Sequence, residues 1–180
     1  MKSIFFTLLL TVIFLISCDK KDADHNSFPL IGKIQNEAVD NYVNLLIKGN
    51  YNEPQLPDFT YEDIPALLQY GNDTTFITNF PHNGISSLWL PECRLGIYVL
   101  WTIESIRAVA INSKYLILNF PSQNPALALR GHPELTLVWN LNSQMVAAKA
   151  YYDWWTNNDN KTFDEIKNID PLGNTEYFWH

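Results

Sequence analysis

A chain of 180 residues with 12 lysine and arginine against 19 aspartate and glutamate side chains carries a formal net charge of −7. That balance excludes the cationic footprint through which DNA and RNA are bound, because phosphates are held by lysine and arginine. The length and the 47% apolar, 14% aromatic composition suit one domain with a sizeable core, and two cysteines are too few for a disulfide framework.

The chain opens on Met1-Lys2-Ser3, continues as an apolar run from Ile4 to Ile16, and closes on Leu15-Ile16-Ser17-Cys18. A basic start, an apolar core of this length and a small residue before the cut describe a secretory signal. A cysteine directly after the small residue makes it look like a bacterial lipobox. Residues 1–17 are therefore expected to be a lipoprotein signal peptide, and Cys18 the acylated first residue of the mature protein. The run is too short to cross a hydrocarbon core of about 30 Å, which takes roughly 20 residues, and Asp19-Lys20-Lys21-Asp22 follows it at once. Loss of Lys2 with the leader takes the charge from −7 to −8. Acyl chains contribute about 0.8 kcal/mol per buried CH₂. The expectation is an exported protein anchored in the lipid bilayer through Cys18, at the outer membrane on its periplasmic face or at the cell surface. Cys93 is then the one remaining thiol, so no intramolecular disulfide forms.

Residues 18–33 read as the acylated cysteine and a flexible tether, polar at first and carrying Pro29 and Gly32. Such a segment reaches about 20 Å from its anchor. Residues 34–180 remain as a single globular domain. Val39, Tyr42, Val43, Leu46 and Ile47 fall at the spacing of an amphipathic helix that stops at Gly49-Asn50. After a proline-containing loop, Thr60 to Asp63 offers caps for a short helix from Ile64 to Tyr70, ended by Gly71-Asn72. The longest helix is predicted from Arg94 to about Asn112. It is apolar nearly all round, as a central buried helix is. A fourth helix is predicted from about Glu134 to Trp155. A fifth opens at Thr162, where Thr162-Phe163-Asp164-Glu165 is a capping box, and Pro171 stops it.

Thr75–Phe80 and Tyr115–Phe120 have the composition of short strands. They share the pattern Ile-x-Asn-Phe-Pro, at Ile77–Pro81 and again forty residues later at Ile117–Pro121. Repeat arrays normally need at least three units. The readings left open are a duplication, two similar loops leading into helices, or a two-stranded ribbon. The fold class expected is mainly α: a compact multi-helix domain around a central apolar helix, with a short two-stranded ribbon as the one β element open to it.

Trp101, Glu104 and Arg107 fall at i, i+3 and i+6 on the most apolar helix, so Glu104 and Arg107 can pair. Such a pair either clamps neighbouring helices or lines a cleft with Trp101 as its apolar wall, and it needs close geometry to offset desolvation. Cys93 stands before the same helix, but a nucleophilic thiol needs a lowered pKa and a histidine base, and Glu92 beside it works against the first. Tyr151-Tyr152-Asp153-Trp154-Trp155 places more aromatics around a helix than one core face takes. Trp154 and Trp155 are therefore candidate ligand contacts, unless Tyr177-Phe178-Trp179 folds back to cover them. His25, His82, His132 and His180 are scattered without metal-ligand spacing, Asn157-Asn158-Asp159-Asn160 lacks the glycine and closing glutamate of a calcium loop, and no metal or cofactor is expected.

The lipobox ending at Cys18, the stretches Leu67-Leu68-Gln69-Tyr70 and Leu100-Trp101-Thr102-Ile103-Glu104-Ser105-Ile106-Arg107, and Ile169-Asp170-Pro171-Leu172 together resemble small Bacteroidetes-type lipoproteins of a family with no assigned function. The resemblance implies a location and no catalytic residue. Lys20-Lys21-Asp22 with Asp24 is similar to the signal that sends such lipoproteins to the cell surface. Asp73-Thr74-Thr75 is similar to their O-glycosylation acceptor, which makes Thr74 a candidate modification site. The function expected is a non-enzymatic binding or assembly module for an envelope protein or glycan. The alternative is an envelope hydrolase using Glu104 or Cys93.

Overall fold

The structure, a computed structural model, describes residues 34–132 and 135–180. The signal peptide, Cys18 and the tether lie outside those residues. Helix α1 (Glu37–Ile47) starts where the Asn36 side chain accepts the Val39 N–H at 3.2 Å, with Glu37 and Asp40 favourably placed in its first turn. It buries Val39, Tyr42, Val43 and Leu46 and ends at Gly49, whose φ of +65° is the left-handed cap that glycine takes at least cost. A single 3₁₀ turn (Tyr61–Asp63) leads into α2 (Ile64–Leu68). Helix α3 (Leu95–Ala110) follows, then α4 (Leu141–Thr156) and α5 (Phe163–Ile166). The capping box at Thr162 is formed, with the Glu165 carboxylate accepting the Thr162 N–H at 2.7 Å.

Two antiparallel sheets complete the fold. Strand β1 (Phe76–Ile77) pairs with β2 (Cys93–Arg94), placing Ile77 opposite Cys93. Strands β3 (Leu127–Leu129), β4 (Leu137–Val138) and β5 (Tyr177–Trp179) form a sheet in the order β4-β3-β5. The architecture is therefore mixed α/β, and the mainly α expectation is corrected. Strands of two or three residues are too short to display the alternation that marks a strand in sequence, and the ladder between β3 and β5 joins segments far apart in the chain. Leu137 and Val138, expected inside the fourth helix, pair with β3 instead. That helix starts at Leu141 because the Asn140 side chain accepts the Ser143 N–H at 2.8 Å. The ribbon, one of three readings open for the two Ile-x-Asn-Phe-Pro segments, does not form: the first pairs with β2, and the second closes on itself through Ile117 and Phe120.

Helix α3 buries twelve of its residues, among them Tyr98, Leu100, Trp101 and Ile103 with no solvent exposure. Its start is clamped by backbone. Gly96 N–H donates to Asp73 O at 2.9 Å, and a Cβ at Gly96 would lie 2.3 Å from both Gly71 O and Gln144 Nε2. Only glycine fits there. Thr102 ties the helix to α1 by its 2.9 Å hydrogen bond with the Tyr42 hydroxyl. Among the described residues no helix is long and apolar enough to cross a membrane.

Candidate functional site

A cleft of about 780 Å³ lies over the C-terminal half of α3. Its floor is Glu104, Arg107, Ala108 and Ile111, one wall is the loop through Tyr115, Ile117 and Gln123, and the other is Phe178, Trp179 and His180. Glu104 and Arg107, three residues apart on α3, meet as a two-pronged ion pair with their side chains about one-tenth exposed (10% and 11%). Arg107 donates from Nη2 at 2.5 Å and from Nε at 3.0 Å. Its Nη1 donates to Lys167 O at 3.1 Å, which fastens α3 to the end of α5. Glu104 Oε2 also accepts the Tyr151 hydroxyl at 2.7 Å, and that hydroxyl in turn accepts the Trp179 indole N–H at 2.7 Å.

This chain of bonds joins α3, α4, α5 and β5 through groups that satisfy one another. Burial works against the charge on Arg107, but hydrogen bonding and the charge of Glu104, with Tyr151 and Asp170 adding, hold the guanidinium above its ordinary value. Burial, then the neighbouring Glu104 charge, hold the Tyr151 hydroxyl well above the usual range, so it is a neutral donor. Breaking such a pair from one side leaves an uncompensated charge, at a cost of about 3–5 kcal/mol. Glu104 thus gives its oxygens to the protein itself.

The other sequence candidates are distributed around the molecule. Trp101 is not in the cleft: it is fully buried, stacks on Phe120 at 5.4 Å, and donates from Nε1 to Ser122 Oγ at 2.8 Å. The apolar wall beside Glu104 and Arg107 is Trp179. Trp154 is buried and donates to Ile166 O at 3.4 Å. Trp155 is half-buried and lines a separate groove with Tyr61 and Phe163. Of the C-terminal aromatics, Trp179 packs against Tyr151 at 6.3 Å. Thr74 is exposed in the loop before β1, where Asp73 Oδ1 accepts the Thr75 N–H at 2.8 Å. Cys93 is buried with its sulfur 3.7 Å from Pro125 O. Burial, partly countered by Arg94, pushes its thiol up to about 12, so the thiolate needed for attack is not present at neutral pH. The Ser122 hydroxyl at the cleft rim is spent between Trp101 and Asn124 O. Among the described residues no three or more His, Cys, Asp or Glu side chains are grouped to hold a metal ion.

Sequence reasoning placed Glu104 and Arg107 together and missed Tyr115, Phe178 and Trp179 as the aromatic walls. Tyr177 is buried and Phe178 and Trp179 are both half-buried, so no alternation marked these three residues as a strand.

Residues 33–180 match the family described as a domain of unknown function, DUF4943, and the chain belongs to that family. No curated protein and no solved structure matches the chain.

Proposed function

We propose that this chain is a lipoprotein of the Bacteroidetes type, acylated at Cys18, exported to the outer membrane and acting as a non-enzymatic binding module in the envelope, with the cleft over Glu104 and Arg107 as its binding site. The observation that carries the binding reading is the pairing inside that cleft. Glu104 is paired with Arg107, Asp170 with Arg130 from outside the lining at 2.9 Å, and Lys114 lies over the Tyr115 ring at 4.9 Å, while the cleft walls present Tyr115, Phe178 and Trp179. A concave, aromatic-walled site with a few fixed polar groups is built to bind. A hydrolase needs a free acid, base or nucleophile, and Glu104, Ser122 and Cys93 are each committed elsewhere or protonated.

The test is a pull-down of the native lipoprotein from detergent-solubilised envelopes, compared with a Tyr115→Ala variant. Tyr115 is 66% exposed, so its removal leaves the core intact. The expected result is an envelope component captured by the native chain and lost from the variant. Identical captures by both would sink the cleft as the binding site. Metabolic labelling with an alkyne fatty acid, present in the native chain and absent from Cys18→Ala, tests the anchor separately.

A further inference from the structure

We propose that the free edge of β5 docks an extended polypeptide segment of a partner protein, which joins the sheet as a fourth strand with its side chains in the cleft. This rests on the reading of the cleft as the binding site and names the chemistry of what enters it. The order β4-β3-β5 gives β5 a neighbour on one side. Arg130 N–H donates to Glu176 O at 2.8 Å and His180 N–H to Ala126 O at 2.9 Å, so the backbone groups of residues 176, 178 and 180 face β3. The alternation of an antiparallel ladder then turns the N–H and C=O of Tyr177 and Trp179 outward. Tyr177 is served locally: its N–H donates to Thr175 Oγ1 at 3.1 Å, and that hydroxyl reaches Tyr177 O at 3.4 Å. The N–H and C=O of Trp179 have no hydrogen-bond partner among the described residues.

The cleft runs along this edge and not over one face. Phe178 and Trp179 project to opposite faces of the sheet, yet both line the cleft, and no residue of β3 does. One outward donor and one outward acceptor on a single residue are met by one residue of an added antiparallel strand, the recognition mode of strand addition. Edges that are to stay unpaired are commonly blunted by charge or proline on the strand itself, and Tyr177, Phe178 and Trp179 carry neither, while Glu104 and Arg107 beside them are paired and Lys114 lies over the Tyr115 ring at 4.9 Å. The entering segment is therefore uncharged where it crosses Glu104 and Arg107. Its alternate side chains are apolar, facing Tyr115 and Ile85, which are 66% and 61% exposed.

The experiment selects dodecapeptides from a random phage library on the full acylated chain in detergent micelles. A selected peptide is then synthesised with single backbone N-methyl groups placed in turn along it. NMR hydrogen exchange follows the Trp179 amide. The expected result is slowing of that exchange by tenfold or more on binding, with affinity falling more than tenfold for N-methylation at one position and little at its neighbours. Peptides that bind and shift cleft resonances without protecting the Trp179 amide overturn strand addition while leaving the cleft reading standing. Strand addition is overturned in the same way if no peptide is selected but a neutral oligosaccharide such as chitotetraose perturbs Trp179. Protection of the amide that grows with protein concentration alone assigns the edge to a second copy and likewise overturns the proposal. If no peptide and no saccharide moves a cleft resonance, both readings fail together.

Discussion

Ile77–Pro81 and Ile117–Pro121 carry the same residues at the same spacing, and their phenylalanines land on neighbouring positions of one helix. Phe80 packs on Tyr98 at 5.0 Å and Phe120 on Trp101 at 5.4 Å. Both asparagines also reach back to the segment after α1. Asn79 Nδ2 donates to Gly49 O at 2.7 Å, and Asn119 Nδ2 donates to Asp58 Oδ1 and lies 3.5 Å from Leu56 O. The backbones between these anchors differ. The first lies beside Cys93–Arg94 and becomes a strand with Ile77 buried. The second has no strand beside it and closes a tight turn, Ile117 N–H to Phe120 O at 3.1 Å and Phe120 N–H to Ile117 O at 2.8 Å. Its central residues Leu118 and Asn119 have φ of +50° and +65°, the two left-handed positions of a type I′ turn. Side-chain chemistry places the anchors; the hydrogen-bond partners within reach decide the conformation between them.

The parity of the two anchors is open to direct attack. Phe80 and Phe120 are 4% and 1% exposed, so Phe80→Ala and Phe120→Ala are each expected to destabilise by about 3–5 kcal/mol in urea unfolding. A difference of more than about 2 kcal/mol between them would break the equivalence. The isoleucines should separate instead. Ile77 is 1% exposed and Ile117 36%, so Ile77→Ala is expected to cost about 2–4 kcal/mol and Ile117→Ala under about 1 kcal/mol. Equal costs would mean that Ile117 is covered in solution by something the isolated fold lacks.

The same contrast explains what the sequence disclosed. The limits of α3 were readable from a long apolar run, and the cap at Thr162 from a four-residue motif whose partners are local. The pairing of Glu104 with Arg107 was readable too, because helical spacing fixes it. Which wall of the cleft stands beside that pair was not, since Trp101 and Trp179 are equally apolar and a helix buried on every side names no outward face. The β4-β3-β5 sheet was invisible for a related reason: Leu127–Leu129, Leu137–Val138 and Tyr177–Trp179 acquire strand character from one another, across separations that local patterning does not report. The Ile-x-Asn-Phe-Pro recurrence was plain in the sequence, and its two outcomes depended on whether a strand lay alongside.

Backbone strain gives a smaller effect of opposite sign at the two sites. Leu118 is 63% exposed, so its side chain contributes little packing to offset a left-handed backbone. Left-handed geometry costs a residue with a Cβ roughly 1–2 kcal/mol, against roughly 0.5–1 kcal/mol for the freedom glycine loses on folding. Leu118→Gly is expected to raise the melting temperature slightly. Thr78→Gly, at the equivalent position without a positive φ, is expected to lower it. A lowered melting temperature for Leu118→Gly would show that the turn is not what holds Ile117 and Phe120 together.

The smallest expected difference is a titration. Immediately after the shared pattern, His82 stands where Ser122 stands in the second segment. Its ring packs between Phe80 at 4.6 Å and Trp89 at 4.3 Å, and burial lowers its pKa by penalising the imidazolium. The unfolded chain therefore takes up this proton at a higher pH than the folded one. The contribution of neutral His82 is complete above an unfolded value of about 6.5 and is lost as pH falls through the lowered folded value. His180 is lowered by burial as well and titrates with the same sign, so the His82 component is read as a difference between variants. From pH 7.5 to pH 5 the urea midpoint is expected to fall less steeply in His82→Gln than in the native chain, while Ser122→Ala, which also removes the acceptor for Trp101 Nε1, lowers the midpoint without altering its slope against pH. An unchanged slope in His82→Gln would mean that the ring is as well solvated in the folded chain as in the unfolded one, and that its stacking between Phe80 and Trp89 is not kept in solution.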